Sequence, residues 1–284
     1  MERRSELAEF LRSRRARLTP EEAGLPPFGG RRRVPGLRRE ELAQLAGVSV
    51  DYYVRLEQGR AANVSQEVLG AVARALRLDD AEHAHLRNLA QPRRRAPVRR
   101  ERVRPQVQRL LDVAEGAPSY VIGQWGDTLA WNRLAAALFV DFGALAPRDR
   151  NWLRMVFLNE EMRSRFTDWP TKARETVAFL RMRAGEDPED PYLTELVGEL
   201  SLKSPDFRRW WAGHDVKEKG RGRKPLRHPI VGDLVLDYET LRLPEDPGQT
   251  LVTYLAEAGS PAEEALRLLG SWAAPAAAER ESSR

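Results

Sequence analysis

The sequence predicts a small all-α domain followed by a larger α+β domain, and three features point to that division. Ahead of residue 91, every periodic stretch repeats its apolar residues at helical spacing. From Gln91 to Pro105 (QPRRRAPVRRERVRP), three prolines and seven arginines leave almost nothing to bury. Beyond it, short alternating runs mix with helical ones, and all seven tryptophans lie at or after Trp125. The expected organisation is a domain over 1–90, a basic linker over 91–104, a second domain over 105–272 and a flexible tail over 273–284.

Each element has a local reason. Ser5 is the expected cap of a first helix running to about Leu18, with Leu7, Phe10 and Leu11 on one face. A Pro/Gly stretch follows from Pro20 to Pro35. Short helices are expected over about 38–46, 50–58, 65–76 and 80–90, the third of these capped by Ser65 and the fourth by Asp79 or Asp80. After the linker, a helix over 106–115 precedes a hairpin of Ser119–Trp125 with Thr128–Trp131 around Gly126-Asp127. Asn132 to about Phe142 is apolar at helical spacing, and helices follow over about 148–158, 170–184, 190–202 and 205–212. Strands are expected at Pro225–His228, Asp233–Leu241 and Gln249–Glu257, and Ser260 and Pro261 open a last helix to about Trp272.

Composition bounds the chemistry. The 284 residues are 42% hydrophobic, enough for a small core and a medium one. There is no cysteine, which excludes disulfides, thiolate metal sites and cysteine nucleophiles. The opening MERRSELAEF has no apolar stretch of signal-peptide type, and no apolar run approaches the ~18–20 residues that span a bilayer, so a cytoplasmic chain without membrane contact is expected. Residues 1–104 hold 23 Arg, no Lys and 14 acidic residues, a net +9, whereas 105–284 hold 24 basic and 28 acidic residues, a net −4. Only the first third is suited to face a polyanion.

The most specific stretch is REELAQLAGVSVDYYVRLEQ, Arg39 to Gln58. Leu42, Ala46, Val48, Tyr53 and Leu56 have the spacing that points two helices into one core, and Ala43 is small where the helices pass closest. Gly47 supplies a turn with positive φ, Ser49 can cap the second helix, and Gly59 can end it. Glu40 and Glu41 suit the dipole of the first helix. The pattern fits a helix-turn-helix better than an ordinary helical hairpin, and in such a motif the second helix is expected to enter the major groove of DNA with its N-terminal residues at base edges.

The stretch resembles the XRE class of helix-turn-helix regulators, whose recognition helix commonly ends in Glu-x-Gly, here Glu57-Gln58-Gly59. By that resemblance Val50, Asp51, Tyr52 and Arg55 stand at base-reading positions. Arg55 suits a bidentate contact to guanine, and Val50 suits a thymine methyl. Asp51 can accept from cytosine or orient Arg55, and Tyr52 stays open between base, sugar and phosphate. Arg38, Arg39, Ser49, Arg60 and the run Arg31, Arg32, Arg33 are expected at phosphates, although for the run a solvated surface is an equal reading.

The flanking text extends the likeness. GGRRRVPGLRREELAQLAGVSVDYYVRLEQGR and VLGAVARALRLDDAEHAHLRNLA look like actinobacterial-type XRE regulators that carry an MmyB-like ligand-binding domain. The second region resembles that domain at VRPQVQRLLD, DTLAWNRLAAALFVDF, LVGELSLKSPDFRRWWAGHDV, LRHPIVGDLVLDYETL and LVTYLAEAGSPAEEALRLL. A departure falls at Ala61–Val64, where the family leads one to expect a proline-containing turn. Membership implies an α+β PAS-like fold, a sheet with helices over one face and a cavity between. It also implies, in at least some members, a fatty-acid-like ligand and no other cofactor.

If a pocket exists, Trp125, Trp131 and Tyr254 are the sheet residues expected to line it, with Arg227 or His228 as the cation for an acidic ligand. Each aromatic taken singly reads more readily as a core or helix-packing residue. The expected working form is a homodimer on double-stranded DNA at the nucleoid. The alternative is a second domain that holds no ligand and contacts a protein such as RNA polymerase or a sigma factor. An enzyme is not expected. His214-Asp215 lacks a nucleophile and oxyanion hole, His83 and His85 lie on different faces of a helix, and no phosphate loop follows a strand, so neither a catalytic residue nor a metal site is assigned.

Overall fold

Capping side chains set where the helices begin. The computed structural model describes residues 2–25, 36–61, 64–90, 102–217, 220–246 and 248–281. The first helices are α1 (Glu2–Arg17), α2 (Arg39–Ala46), α3 (Val50–Glu57), α4 (Gln66–Ala75) and α5 (Asp80–Ala90). Next come α6 (Pro105–Val113), β1 (Ser119–Ile122), β2 (Thr128–Trp131), α7 (Arg133–Leu138), α8 (Trp152–Leu158) and α9 (Glu160–Ser164). The rest is α10 (Trp169–Ala184), α11 (Pro191–Lys203), α12 (Pro205–Trp211), β3 (Arg221–His228), β4 (Gly232–Arg242), β5 (Thr250–Leu255) and α13 (Pro261–Glu281).

Ser49 accepts from the Tyr52 amide and Ser65 from the Val68 amide, as their positions predict. Asp79 and Glu82 exchange amide bonds in a reciprocal capping box. At the other ends, Gly47 and Gly59 take positive φ, and the Gly59 and Arg60 amides close α3 onto Leu56 and Arg55. Two expectations need correction. Ser5 is not a cap: α1 already runs from Glu2, because Glu2-Arg3-Arg4 are good helix formers, and the Ser5 hydroxyl instead donates to Glu9 at 3.2 Å. The last helix does not stop at Trp272 but runs to Glu281 through an alanine-rich stretch. The short helix α9, unforeseen in the sequence, is capped by Asn159.

The chain packs as two compact units, one of 1–96 with 177–218 and the other of 97–176 with 219–284. Segment 177–218 therefore crosses the division expected at the linker. Residues 91–101 of that linker lie outside the described residues.

In the second unit, five strands among the described residues form one antiparallel sheet in the order β2-β1-β5-β4-β3. The all-α first region followed by this helix-covered sheet is the α+β arrangement expected. The hairpin turns at Gly126, whose φ is +89°. Alternation gives the sheet two unlike faces. On one, Tyr120, Tyr238 and Tyr254 meet Phe139, Trp152 and Phe166 from the helical layer, with Tyr120 stacked on Trp152 at 4.7 Å. On the other, Val121, Ala130 and Leu251 are covered by Val107 and Leu111 of α6.

In the first unit, Phe10 and Leu11 of α1, Leu42 and Ala43 of α2, Tyr53 and Leu56 of α3, Leu69 and Val72 of α4 and Leu86 of α5 share one core. Met182 of α10 and Val216 after α12 belong to the same core. Gly36 presses against the backbone of α1, where a Cβ would stand 2.5 Å from the Arg15 carbonyl oxygen. His85 is buried edge-on to Phe10 at 5.0 Å and packs on Gly185, where a Cβ would meet the imidazole at 2.4 Å. Burial first, then the nearby Arg181 and Arg14 guanidiniums, lower its pKa to about 3. The folded state thus holds His85 neutral while the unfolded chain protonates it near 6.5. Stability contributed this way is complete above 6.5 and is lost as pH falls toward 3. Thermal unfolding between pH 7 and 4 is expected to show this loss, and His85→Leu to flatten the slope even if it lowers stability throughout.

Candidate nucleic-acid interface

The helix-turn-helix is pinned by one carboxylate. Glu57, the last residue of α3, is only 1% exposed. Arg15 of α1 donates to it from Nε and Nη2 at 3.3 and 3.1 Å, and Arg39 of α2 donates from Nη2 at 3.2 Å. Burial raises the pKa of this carboxyl, but the hydrogen bonds from Arg15 and Arg39 outweigh it and hold the net value low. The third donor of Arg15 reaches the Leu37 carbonyl at 2.6 Å, which also ties down the segment entering α2. Burial, with the charge of Glu57, raises the pKa of the Tyr53 phenol on the adjoining turn.

Opposite the core, α3 turns its N-terminal edge to solvent. Val50, Asp51 and Arg55 are exposed and Tyr52 is half-buried. Asp51 and Arg55, one turn apart, form an ion pair at 3.3 Å with both side chains more than half exposed. The four residues expected to read bases thus lie on the accessible edge of one helix. Arg38, just ahead of α2, and Arg60, just past the end of α3, are exposed, and Ser49 caps α3 at its start. Arg39 is exposed too, but its guanidinium is held by Glu57. Arg31, Arg32 and Arg33 lie outside the described residues. The sequence reading missed the Glu57 clamp; the Glu-x-Gly pattern was its only local sign.

The residues expected around a ligand separate. Tyr254 lies fully buried in the aromatic layer, and Trp125 is buried with its carbonyl accepting from Asn151 at 3.0 Å. Trp131 packs on Phe142 at 5.3 Å, has the Arg150 guanidinium 5.5 Å from its ring, and borders a groove of about 1170 Å³ between α6, α7 and α13. His228 is buried, with Nε2 3.0 Å from the Ala137 carbonyl oxygen; burial, then Arg165, lowers its pKa. Arg227 does not join them. As the strand neighbour of His228 it points to the opposite face, where it is exposed and paired with Asp233 at 2.8 Å. Among the buried cations beside the aromatic layer is Lys172 of α10, 5% exposed, 5.2 Å from the Trp152 ring and 5.4 Å from that of Phe166. A lysine inside a helix gave no sequence signal for this.

His214 is not oriented by Asp215. Its imidazole meets Glu9 and Arg181, whereas Asp215 pairs with Arg17. Among the described residues, no three His, Asp or Glu side chains converge as a metal site, and no helix is long and apolar enough to cross a membrane.

Glu57→Gln tests the clamp. It keeps the shape but removes the charge, and is expected to cost about 1–3 kcal/mol in urea unfolding by leaving two guanidiniums without their counter-charge and setting an amide NH2 where one of the two acceptor oxygens stood.

The sequence matches two families. Residues 6–86 match a helix-turn-helix domain, which covers most of α1, all of α2 to α4 and most of α5. Residues 103–269 match the MmyB-like transcription regulator ligand binding domain. No curated protein matches the chain. An exposed recognition edge on a clamped helix-turn-helix, followed by that second domain across more than half of the chain, makes this a DNA-binding transcription regulator of the MmyB-like family.

Proposed function

We propose that the chain is a ligand-responsive, sequence-specific regulator that works as a homodimer on operator DNA in the cytoplasm, at the nucleoid. The observation that carries this reading is the solvent-facing edge of α3, with Asp51 and Arg55 side by side on a helix whose far end is fixed by Glu57. Val50, Asp51, Tyr52 and Arg55 then read bases, with Asp51 orienting the Arg55 fork. Arg38, Arg60 and Ser49 contact phosphate, joined by Arg39 from its pair with Glu57 and by Arg31, Arg32 and Arg33. One helix-turn-helix contacts little surface, so two copies engage half-sites ~34–36 Å apart.

The second domain takes a small apolar or fatty-acid-like molecule against the aromatic face of its sheet. Tyr254 and Trp125 supply apolar surface, and Lys172 and His228 stand on that side to meet an acidic head. Contact with RNA polymerase or a sigma factor by a domain without ligand is the competing reading, but the buried lysine among aromatic rings favours a ligand.

Arg55→Ala is expected to flatten preference at one or two base positions, at a cost of about 1–3 kcal/mol measured across operator variants. Arg60→Ala is expected to weaken all sequences alike and reduce the salt slope by about one. Identical behaviour of the two variants contradicts this sorting of contacts. Native mass spectrometry of gently purified protein is expected to show a stoichiometric apolar acid that Lys172→Met releases. A ligand-free mass that no added fatty acid shifts points to the protein-partner reading.

A further inference from the structure

Segment 177–218 lies inside the stretch that matches the ligand-binding domain, yet it is part of the first compact unit with the DNA-binding helices. What joins it to α1 is a cluster of buried charges. Arg181 of α10 is 2% exposed, and its guanidinium carbon stands 3.7 Å from the centre of the Trp211 ring. It donates to Glu6 of α1 at 2.7 Å, to the Trp211 carbonyl at 2.5 Å and to Nδ1 of His214 at 3.2 Å. Because Nδ1 accepts, the imidazole proton sits on Nε2, which faces Glu9 of α1 at 3.1 Å.

The same turn is gripped from the other side. Arg14 donates to the His214 carbonyl and pairs with Glu82 of α5 at 2.8 Å, and Arg17 pairs with Asp215. His214 is held at φ +54°, a left-handed conformation that an imidazole-bearing residue keeps only when its surroundings impose it. Such a cluster does not stretch gradually. Losing Glu6 or Glu9 leaves Arg181 or His214, both buried, without its partner, so the cluster favours being either made or broken.

Two connections give the cluster a reach beyond itself. Arg14 is followed in α1 by Arg15, which clamps Glu57 at the end of the recognition helix. Arg181 shares α10 with Lys172, nine residues earlier in the sequence, which lies beside the aromatic rings of Trp152 and Phe166.

We propose that the Arg181–Glu6–His214–Glu9 cluster is a clasp that couples α10 to the recognition helix. Made, it holds α1, and through Arg15 and Glu57 it holds α3 in its reading position. A shift of α10 that breaks it loosens α3 and weakens operator binding. The DNA consequence rests on the proposed function above, whereas the mechanical link between segment 177–218 and α3 does not.

The test uses the full chain with Arg181→Lys, Glu6→Gln and both together. Amide hydrogen exchange is followed in every element, alongside affinity for a genomic fragment selected by the wild type and for random duplex. Each single variant is expected to speed exchange in α1 and α3 about tenfold while β1 and β5 keep their rates, and the double variant to do less than the two effects combined, since both singles lose the Arg181–Glu6 bond. Affinity for the selected fragment is expected to fall about tenfold, with random duplex little changed. Wild-type exchange in α1 and α3, or fragment binding that is unchanged or tighter, overturns the proposal. Should Arg181→Lys fail to fold, Glu6→Gln carries the test, since Glu6 is partly exposed. Should the wild type prefer no fragment, the DNA reading fails by itself. Exchange in α3 then still decides the clasp, faster supporting it and unchanged overturning it.

Discussion

A single buried carboxylate, that of Glu57, determines whether the exposed edge of α3 is a rigid reader or a loose helix. Eight residues of helix have little stability of their own. Its apolar face supplies Tyr53 and Leu56 to the core, which fixes distance but leaves sliding and rotation open. The bonds from Arg15 and Arg39 remove that freedom, because each guanidinium fork accepts only a narrow range of carboxylate positions. A buried ion pair adds little net stability against an apolar replacement, but it specifies one arrangement over its neighbours. The base-reading role proposed for Asp51 and Arg55 requires that definition more than it requires stability.

The same logic of satisfied buried charge recurs at Arg181 and at Lys224 with Glu175. The first unit is thus not the helix-turn-helix helices alone. It draws Met182, Gly185 and Val216 from the segment matched by the ligand-binding family, and Gly185 fits because the His85 ring leaves no room for a Cβ. Regulation in a one-component protein requires the effector to favour one state of the DNA-binding part energetically. A segment shared in this way gives that preference a physical path.

Local chemistry was legible in the sequence, and long-range placement was not. Gly47, Ser49, Gly59, Ser65 and the Gly126 turn each act through neighbours within a few residues, so spacing alone locates them. Ser5 misled because a good cap residue also stood inside a run of helix formers. Strand phase decided the pocket residues: Arg227 and His228 are adjacent in sequence, yet alternation sends one to solvent and the other inward. The Glu57 clamp joins residues 42 apart and the Arg181 bond to Glu6 joins residues 175 apart, so no window along the chain contains both partners. Lys172 has the same difficulty, since a lysine on a helix normally means a solvated face.

Competition binding of the full-length protein against a library of genomic fragments, at physiological salt, tests the recognition helix most directly. The account predicts a small set of fragments bound at least ~10³-fold more tightly than random duplex, sharing a motif repeated at the spacing of one helical turn. Equal affinity for every fragment and for random duplex contradicts it.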